Sequence, residues 1–406
     1  MEADLKNKEY LNALCLNRKP DVKGHCDPEE QMFEGLEPHY NLKELTIQHY
    51  GGATLPNWLA KKQHLTNLES VYLSNCARCA SLPPLGQLPF LKILHVNTMP
   101  AVKQIGVEFY GDAYQVFPSL EDLMFTDMKE WEEWSHSEDR QFFPRLRKLR
   151  IFTCWKLRNV PLHYLGSAVT ELRIRGCGDL GGGLPRCLQS LTSLVVLELS
   201  NYPHRTSVCL SNLRHLELLK LGWSEFSLLT GFRSLTSLKD LQIEGCPKLN
   251  DFMQTELPYE DADLRSLSFF STDDIPFNNV WITLGTARSL RCIVLSCNHL
   301  ACFKVEQEEW FQKLILLEEL SFLACRNLQS LPTSLVTFSS IKKLSIGLCP
   351  EIKSLPENGL PASLKELRIW GCPSLKERCV KDQGLDWQLI AHVPFIFIDG
   401  ETVQIL

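Results

Sequence analysis

The sequence predicts an α/β solenoid, a curved horseshoe of stacked repeats with a parallel sheet on the concave face and an irregular convex side. Three observations carry this. First, LEELSFLAC, IKKLSIGLC and LKELRIWGC begin at Leu317, Ile341 and Leu364, each with apolar residues at positions 0, 3 and 5 and cysteine at position 8. Second, the steps between them are 24 and 23 residues, a period that marks a repeat array. Third, the intervening stretches agree with one another: CRNLQSLP, CPEIKSLP and CPSL follow the three cysteines.

This is the leucine-rich-repeat pattern, and earlier stretches are looser copies of it. Taken in order, frames begin at Leu11, Leu42, Leu68, Leu91, Leu120, Leu146, Val169, Leu194, Leu213 or Leu216, Leu238, Leu264, Leu290, Leu317, Ile341 and Leu364. NLRHLELLKLGW fits either of two frames. The fifteen starts lie 19 to 31 residues apart, so the backs of the repeats must be irregular. The predicted organisation is an irregular first repeat and acidic insertion over 1–41, about 14 repeats over 42–378, and a C-terminal cap over 379–406. The chain enters a repeat almost at once, which suggests that its parent protein continues upstream.

In each short strand, side chains alternate, so positions 3 and 5 point into the core and positions 2, 4 and 6 point out. No single repeat buries its own leucines; stacking seals the core and sets the strands parallel. Proline-bearing stretches such as Leu82–Leu85 and Leu355–Pro361 suit irregular backs better than long helices. The last open core needs cover. The apolar strand Phe395–Ile398, with Trp387 and Ile390 ahead of it, is the expected lid.

Composition narrows the class. The chain has 406 residues, 44% hydrophobic and 22% charged, with a net charge of −6. Nothing in that balance points to nucleic acid or a membrane surface. Of the 16 cysteines, Cys76, Cys154, Cys177, Cys246, Cys325, Cys349 and Cys372 hold position 8, and Asn298 is expected to hold it in the frame at Leu290. A small, weakly hydrogen-bonding side chain suits that site, so buried, reduced thiols are expected. The polar N-terminus and the lack of any Asn-x-Ser/Thr acceptor agree with a reducing compartment.

Candidate chemistry is sparse. Cys76 and Cys79 form one C-x-x-C pair without a second pair or matching histidines, and structural thiols are the simpler reading. The same holds for Cys292, Cys297 and Cys302. His25 and Cys26 lie in the acidic insertion without a base or oxyanion constellation. Trp131 and Trp134 read as a loop packed back onto the repeats, with a partner anchor as the other possibility. No catalytic, metal or cofactor site is predicted.

The concave strip is the surface with a binding prior. Its outward positions supply the candidates Lys148, Arg150 and Phe152, then Arg173 and Arg175 beside Glu171, then Glu198, Gln242 and Glu244 beside Asp240, and finally Arg368 and Trp370 beside Glu366. Because neighbouring strands lie about 4.8 Å apart, Lys148, Arg150, Arg173 and Arg175 are expected to form one solvated basic patch.

Longer stretches are similar to plant nucleotide-binding leucine-rich-repeat disease-resistance proteins of the coiled-coil subclass. They are EGLEPHYNLKELTIQHYGG (Glu34–Gly52), LPPLGQLPFLKILHVNTMPAVKQIGVEFYG (Leu82–Gly111), MKEWEEWS with FPRLRKLRI (Met128–Ile151) and DWQLIAHVPFIFIDGE (Asp386–Glu401). The resemblance implies a non-enzymatic recognition region, in the cytoplasm and with the nucleus as a second compartment. That region senses a pathogen effector or guarded host protein and restrains the receptor's nucleotide-binding domain. The G-x-x-x-x-G-K-[ST] loop of that domain is not in this sequence, so ATP or ADP is expected only in a domain absent from this chain. The alternative function is a leucine-rich-repeat adaptor recruiting substrates to a ubiquitin ligase, which calls for an F-box-like segment ahead of the repeats. A secreted receptor ectodomain is the third reading, opposed by the polar N-terminus and missing acceptors.

Overall fold

The structure, a computed structural model, describes residues 4–18, 27–61, 64–135, 140–158, 160–178, 183–201, 207–226, 228–246, 264–273 and 289–406. His25 and Cys26 lie outside the described residues. The chain divides into two compact units, Met1–Leu213 and Arg214–Leu406.

The first unit is built on eight strands: β1 Ala13–Asn17, β2 Glu44–Gln48, β3 Ser70–Ser74, β4 Ile93–Asn97, β5 Asp122–Thr126, β6 Lys148–Cys154, β7 Glu171–Cys177 and β8 Val196–Ser200. All pair parallel with their sequence neighbours and in repeat register, so Leu45, Val71, Leu94, Leu123, Leu149, Leu172 and Leu197 stand side by side. Each of those position-3 side chains is buried, as are the position-5 residues Ile47, Leu73, Val96, Phe125, Ile151, Ile174 and Leu199. Periodicity in the sequence thus becomes two continuous apolar rows, the arrangement expected of a leucine-rich-repeat stack.

The second unit continues the same design with β9 Leu218–Gly222, β10 Asp240–Glu244, β11 Phe269–Thr272, β12 Cys292–Leu295, β13 Glu319–Leu323, β14 Lys343–Gly347, β15 Glu366–Trp370 and β16 Phe395–Ile398, all parallel. A last strand, β17 Glu401–Ile405, runs antiparallel to β16. Asp399 and Gly400 join them with φ of 48° and 84°, the left-handed pair that a two-residue hairpin needs.

Three frames are settled or corrected here. Leu219 lies opposite Leu241, so the ambiguous repeat starts at Leu216, not Leu213. Phe270, not Leu267, lies opposite Leu241 and Ile293, so the next frame starts at Leu267, three residues after the expected Leu264. Leu264, Leu267 and Phe269 satisfy positions 0, 3 and 5 of the motif, whereas the frame at Leu267 places Thr272 at position 5, so the motif favours the wrong frame; stacking against Leu241 and Ile293 decides. In the frame at Leu290 the inward site after the strand belongs to Cys297, whereas Asn298 is exposed.

The turn off each strand has a feature that the motif does not display. Position 7 adopts a left-handed φ in twelve repeats: His49, Asn75, Thr98, Asp127, Thr153, Gly176, Asn201, Trp223, Gly245, Ala324, Leu348 and Gly371. That conformation aims its N–H at the position-6 carbonyl of the next repeat, as His49 to Ser74 (3.0 Å), Asp127 to Phe152 (2.9 Å) and Leu348 to Trp370 (2.9 Å) show. A hydrogen bond thereby extends the ladder beyond the strand. Asn, Asp and Gly at six of these positions were the available signal.

Position 8 closes the turn. All seven predicted cysteines there are buried free thiols. Cys325 donates to Leu295 O (3.3 Å), Cys349 to Phe322 O (3.6 Å) and Cys372 to Ile346 O (3.7 Å), in each case the position-5 carbonyl of the preceding repeat. The return segments are short, the longest helices being the eight-residue Asp27–Glu34, Gly183–Ser190 and Val305–Gln312 among the described residues.

Candidate protein-recognition face

Outward positions 2, 4 and 6 form three rows on the strand face of each unit. In the first, Lys148 stands opposite Glu171, Arg150 opposite Arg173 and Phe152 opposite Arg175. The structure therefore brings these candidates together, but not as a solvated basic patch. Arg150 Nη2 bonds both oxygens of Asp122 (2.6 and 2.7 Å), and His95 Nε2 is 3.3 Å from the same carboxylate. Arg173 is clamped between Glu171 (2.7 Å) and Glu198 (2.8 Å), and Arg175 lies 3.5 Å from Glu198. The cations are interleaved with acids on the same or the adjacent strand, so most of their charge is spent within the face. Glu198, only 3% exposed, is the buried anion that holds two arginines in place.

The electrostatics follow from this pairing. Burial pushes the Asp122 carboxyl up, yet the hydrogen bonds from His95 and Arg150 outweigh it and hold the group below its ordinary range. Burial lowers Arg173, and the bonds to Glu198 and Glu171 more than reverse that. Lys148 has no salt bridge among the described residues.

Two residues at the strand-exit rim were not predicted as a set. The guanidinium of Arg175 sits 4.6 Å above the Phe152 ring centroid, a cation–π stack that leaves the residue exposed. Beside it, the 56%-exposed Trp155 lies against Gly176, where any Cβ would meet the indole at 2.9 Å. Trp155 follows a ladder cysteine, outside the strand, so a reading of strand positions passes over it.

In the second unit, Gln242 Nε2 donates to Asp240 Oδ1 (3.0 Å), and Glu244 accepts from Ser271 (3.3 Å). Burial raises the Asp240 carboxyl against the opposing Gln242 bond. At the far end of this unit Arg368 stacks on Phe397 (5.2 Å), and its Nε donates to Glu366. The Trp370 indole covers Gly347 so closely that no Cβ fits there. Both units thus carry an arginine laid on a phenylalanine of an adjacent strand and a tryptophan laid on a glycine of an adjacent repeat.

A further charged row escaped the sequence reading. Position 1 alternates in sign along the strand-entry rim: Lys43, Glu69 and Lys92 pair at 3.6 and 2.6 Å, and Arg291, Glu318 and Lys342 at 2.5 and 2.7 Å. The alternation was legible one residue after each frame start.

Most of the remaining candidates fall into the core. Trp131 and Trp134 are buried; their indole N–H groups donate to Glu133 O (2.9 Å) and Tyr110 Oη (2.6 Å), inside a cluster with Phe125 and Phe143. Cys76 and Cys79 are both buried, and Cys79 donates to Gly52 O (3.2 Å). Cys292 is half-buried, Cys297 buried and Cys302 exposed. Among the described residues no group of three or more His, Cys, Asp or Glu is placed to hold a metal ion, and no helix is long and apolar enough to cross a membrane.

Comparison with known proteins agrees with the repeat reading. Residues 1–99 match the family described as R13L1/DRL21 LRRs. The chain is 33% identical over 196 residues to putative disease resistance RPP13-like protein 1 of Arabidopsis thaliana, covering 44% of this chain and 18% of that protein. It is 31% identical over 227 residues to putative disease resistance protein RGA1 of Solanum bulbocastanum, covering 53% and 22%. It therefore spans about a fifth of the length of these relatives. Among solved structures, a leucine-rich-repeat protein of Leptospira interrogans aligns with TM-score 0.45 at 16% identity, covering 87% of this chain and 95% of that one.

Proposed function

We propose that this leucine-rich-repeat chain is the non-enzymatic recognition region of an intracellular plant immune receptor of the coiled-coil subclass. Its outward strand face meets a pathogen effector or a guarded host protein, and it also restrains the receptor's nucleotide-binding domain. The similarity to plant disease-resistance proteins supports the defence role. The observation that carries the recognition role is the pre-organised face itself. Arg175 on Phe152 and Arg368 on Phe397 are exposed arginines whose planes are already fixed by a ring. Arginine and aromatic side chains dominate binding hot spots, and fixing them beforehand removes part of the entropy lost on association.

The test is transient expression in leaves. Co-expressed with an autoactive nucleotide-binding region of the RPP13-like relative, this chain should suppress cell death. The double variant Phe152→Ala, Arg175→Gln should restore it, with an unchanged circular dichroism spectrum for the purified chain. Suppression that is absent for the wild type, or equal for the variant, would remove the basis for the restraining role of this face.

A further inference from the structure

The last repeats of the second unit contain a trough that the charge pattern alone does not reveal. Across β13 to β16 the position-4 row runs Ser321, Ser345, Arg368, Phe397, each opposite the next in register. Three interstrand spacings make this row about 14 Å long. Two small serines thus lie next to a large arginine and a phenylalanine, and the difference in side-chain height creates a step. Along one wall Trp370 covers Gly347, and Leu348, 56% exposed, reaches over Gly371.

Three observations show what this step is missing. Ser345 is only 5% exposed although it occupies an outward position, and its hydroxyl, which makes no hydrogen bond to a described residue, keeps its remaining access to solvent. A hydroxyl without a protein partner is free to pair with a polar group of a ligand in place of water. Arg368 spends its Nε on Glu366 and one face on Phe397, which leaves its Nη edge unpaired among the described residues. A guanidinium held by its Nε and its face presents that edge in the geometry that suits a carboxylate. Finally, the exposed Leu348 and the half-buried Trp370 supply apolar surface on the same wall.

We propose that this trough docks an extended segment of a partner protein that carries an Asp or Glu next to an aromatic or large aliphatic side chain. The carboxylate meets the Nη edge of Arg368, the apolar side chain lies against Trp370 and Leu348, and a polar group of the segment pairs with Ser345 Oγ. The proposal rests on the recognition reading above and narrows it to one end of the face and one class of partner segment.

The test pans a phage library of random linear heptapeptides on the immobilised full chain. Retained peptides should carry Asp or Glu within two positions of Trp, Phe, Tyr or Leu. Arg368→Gln and Trp370→Ala should each lower retention of the selected phage at least about tenfold, the scale of losing one hot-spot contact. Ser345→Tyr, which fills the trough, should do the same, whereas Lys353→Gln, at an exposed position of the return segment after Cys349, should leave retention unchanged. A melting curve for each variant separates lost binding from lost folding, and Arg368→Gln, at a half-exposed side chain, is the variant on which the outcome depends. No enrichment, enrichment of peptides without an acidic residue, or equal retention by Arg368→Gln overturns the trough proposal. The leaf assay, which reports on the first unit, stands or falls separately.

Discussion

Arg150 and Asp122, on adjacent strands, meet with one guanidinium nitrogen 2.6 and 2.7 Å from the two carboxylate oxygens. Both side chains are largely shielded, at 24% and 18% exposure, so the contact is more than a surface ion pair. It converts what reads as a positive strip into an internally neutralised one.

This pair sets a pH dependence. The folded Asp122 carboxyl lies below its ordinary value, so its contribution is complete above the unfolded value of about 4 and is lost as pH falls through the folded one. Urea unfolding at pH 7 should show Arg150→Met destabilised by roughly 1–3 kcal/mol, since Asp122 loses its main partner. The gap between wild type and Asp122→Asn should be open at pH 7 and close below about pH 4. A gap independent of pH would assign the effect to packing.

The corrected frame at Leu267 makes neighbouring phenylalanines unequal. Phe270 is fully buried and Phe269 is half-buried on the outward side. Phe270→Ala should cost about 3–5 kcal/mol, and Phe269→Ala less than half of that. Equal costs in chemical denaturation would restore the frame at Leu264.

Left-handed position 7 offers a stabilising substitution. Ala324 sits at φ 54°, where a Cβ is unfavourable. Ala324→Gly should raise stability by about 1 kcal/mol despite the greater freedom of the unfolded chain. A lower urea midpoint for the glycine variant would contradict the strain argument.

Thiol labelling reads the ladder directly. Cys325, Cys349 and Cys372 are buried, and the hydrogen bond that the Cys349 thiol donates to Cys325 leads the effects that push Cys349 up to about 12. Native protein treated with iodoacetamide at pH 8 should be modified at the exposed Cys15 and Cys302 and not at these three, as mapped by peptide mass spectrometry. Fast modification of all five without denaturant would contradict the register.

The tail is proposed as a cap. Asp386, 2% exposed, accepts from Leu355 N (2.9 Å) and from Arg378 Nη2 (2.6 Å), and Ile390 and Ile396 are fully buried. Deleting 386–406 removes those partners and uncovers the apolar row ending at Leu367 and Ile369. The truncated chain should aggregate or melt several degrees lower; an unchanged melting temperature and solubility would show that these residues cover nothing essential.

The sequence by itself determined the repeat, its inward rows and its ladder of small thiols, because each depends on a spacing that every strand repeats. Leu149 opposite Leu172 and Cys349 behind Phe322 could be written down from the frames. It did not determine the frame at Leu267, since Leu264, Leu267 and Phe269 complete the motif while the true frame carries Thr272 at its second inward position. Nor did it determine the character of the face. Whether Arg150 is a free cation or half of a pair depends on which acid stands one strand away, and whether Ser345 is open depends on how far Trp370 and Arg368 rise beside it. Those are relations between side chains from different repeats at distances of a few ångströms, where Coulomb energy and desolvation change steeply, and only the stacked structure sets them.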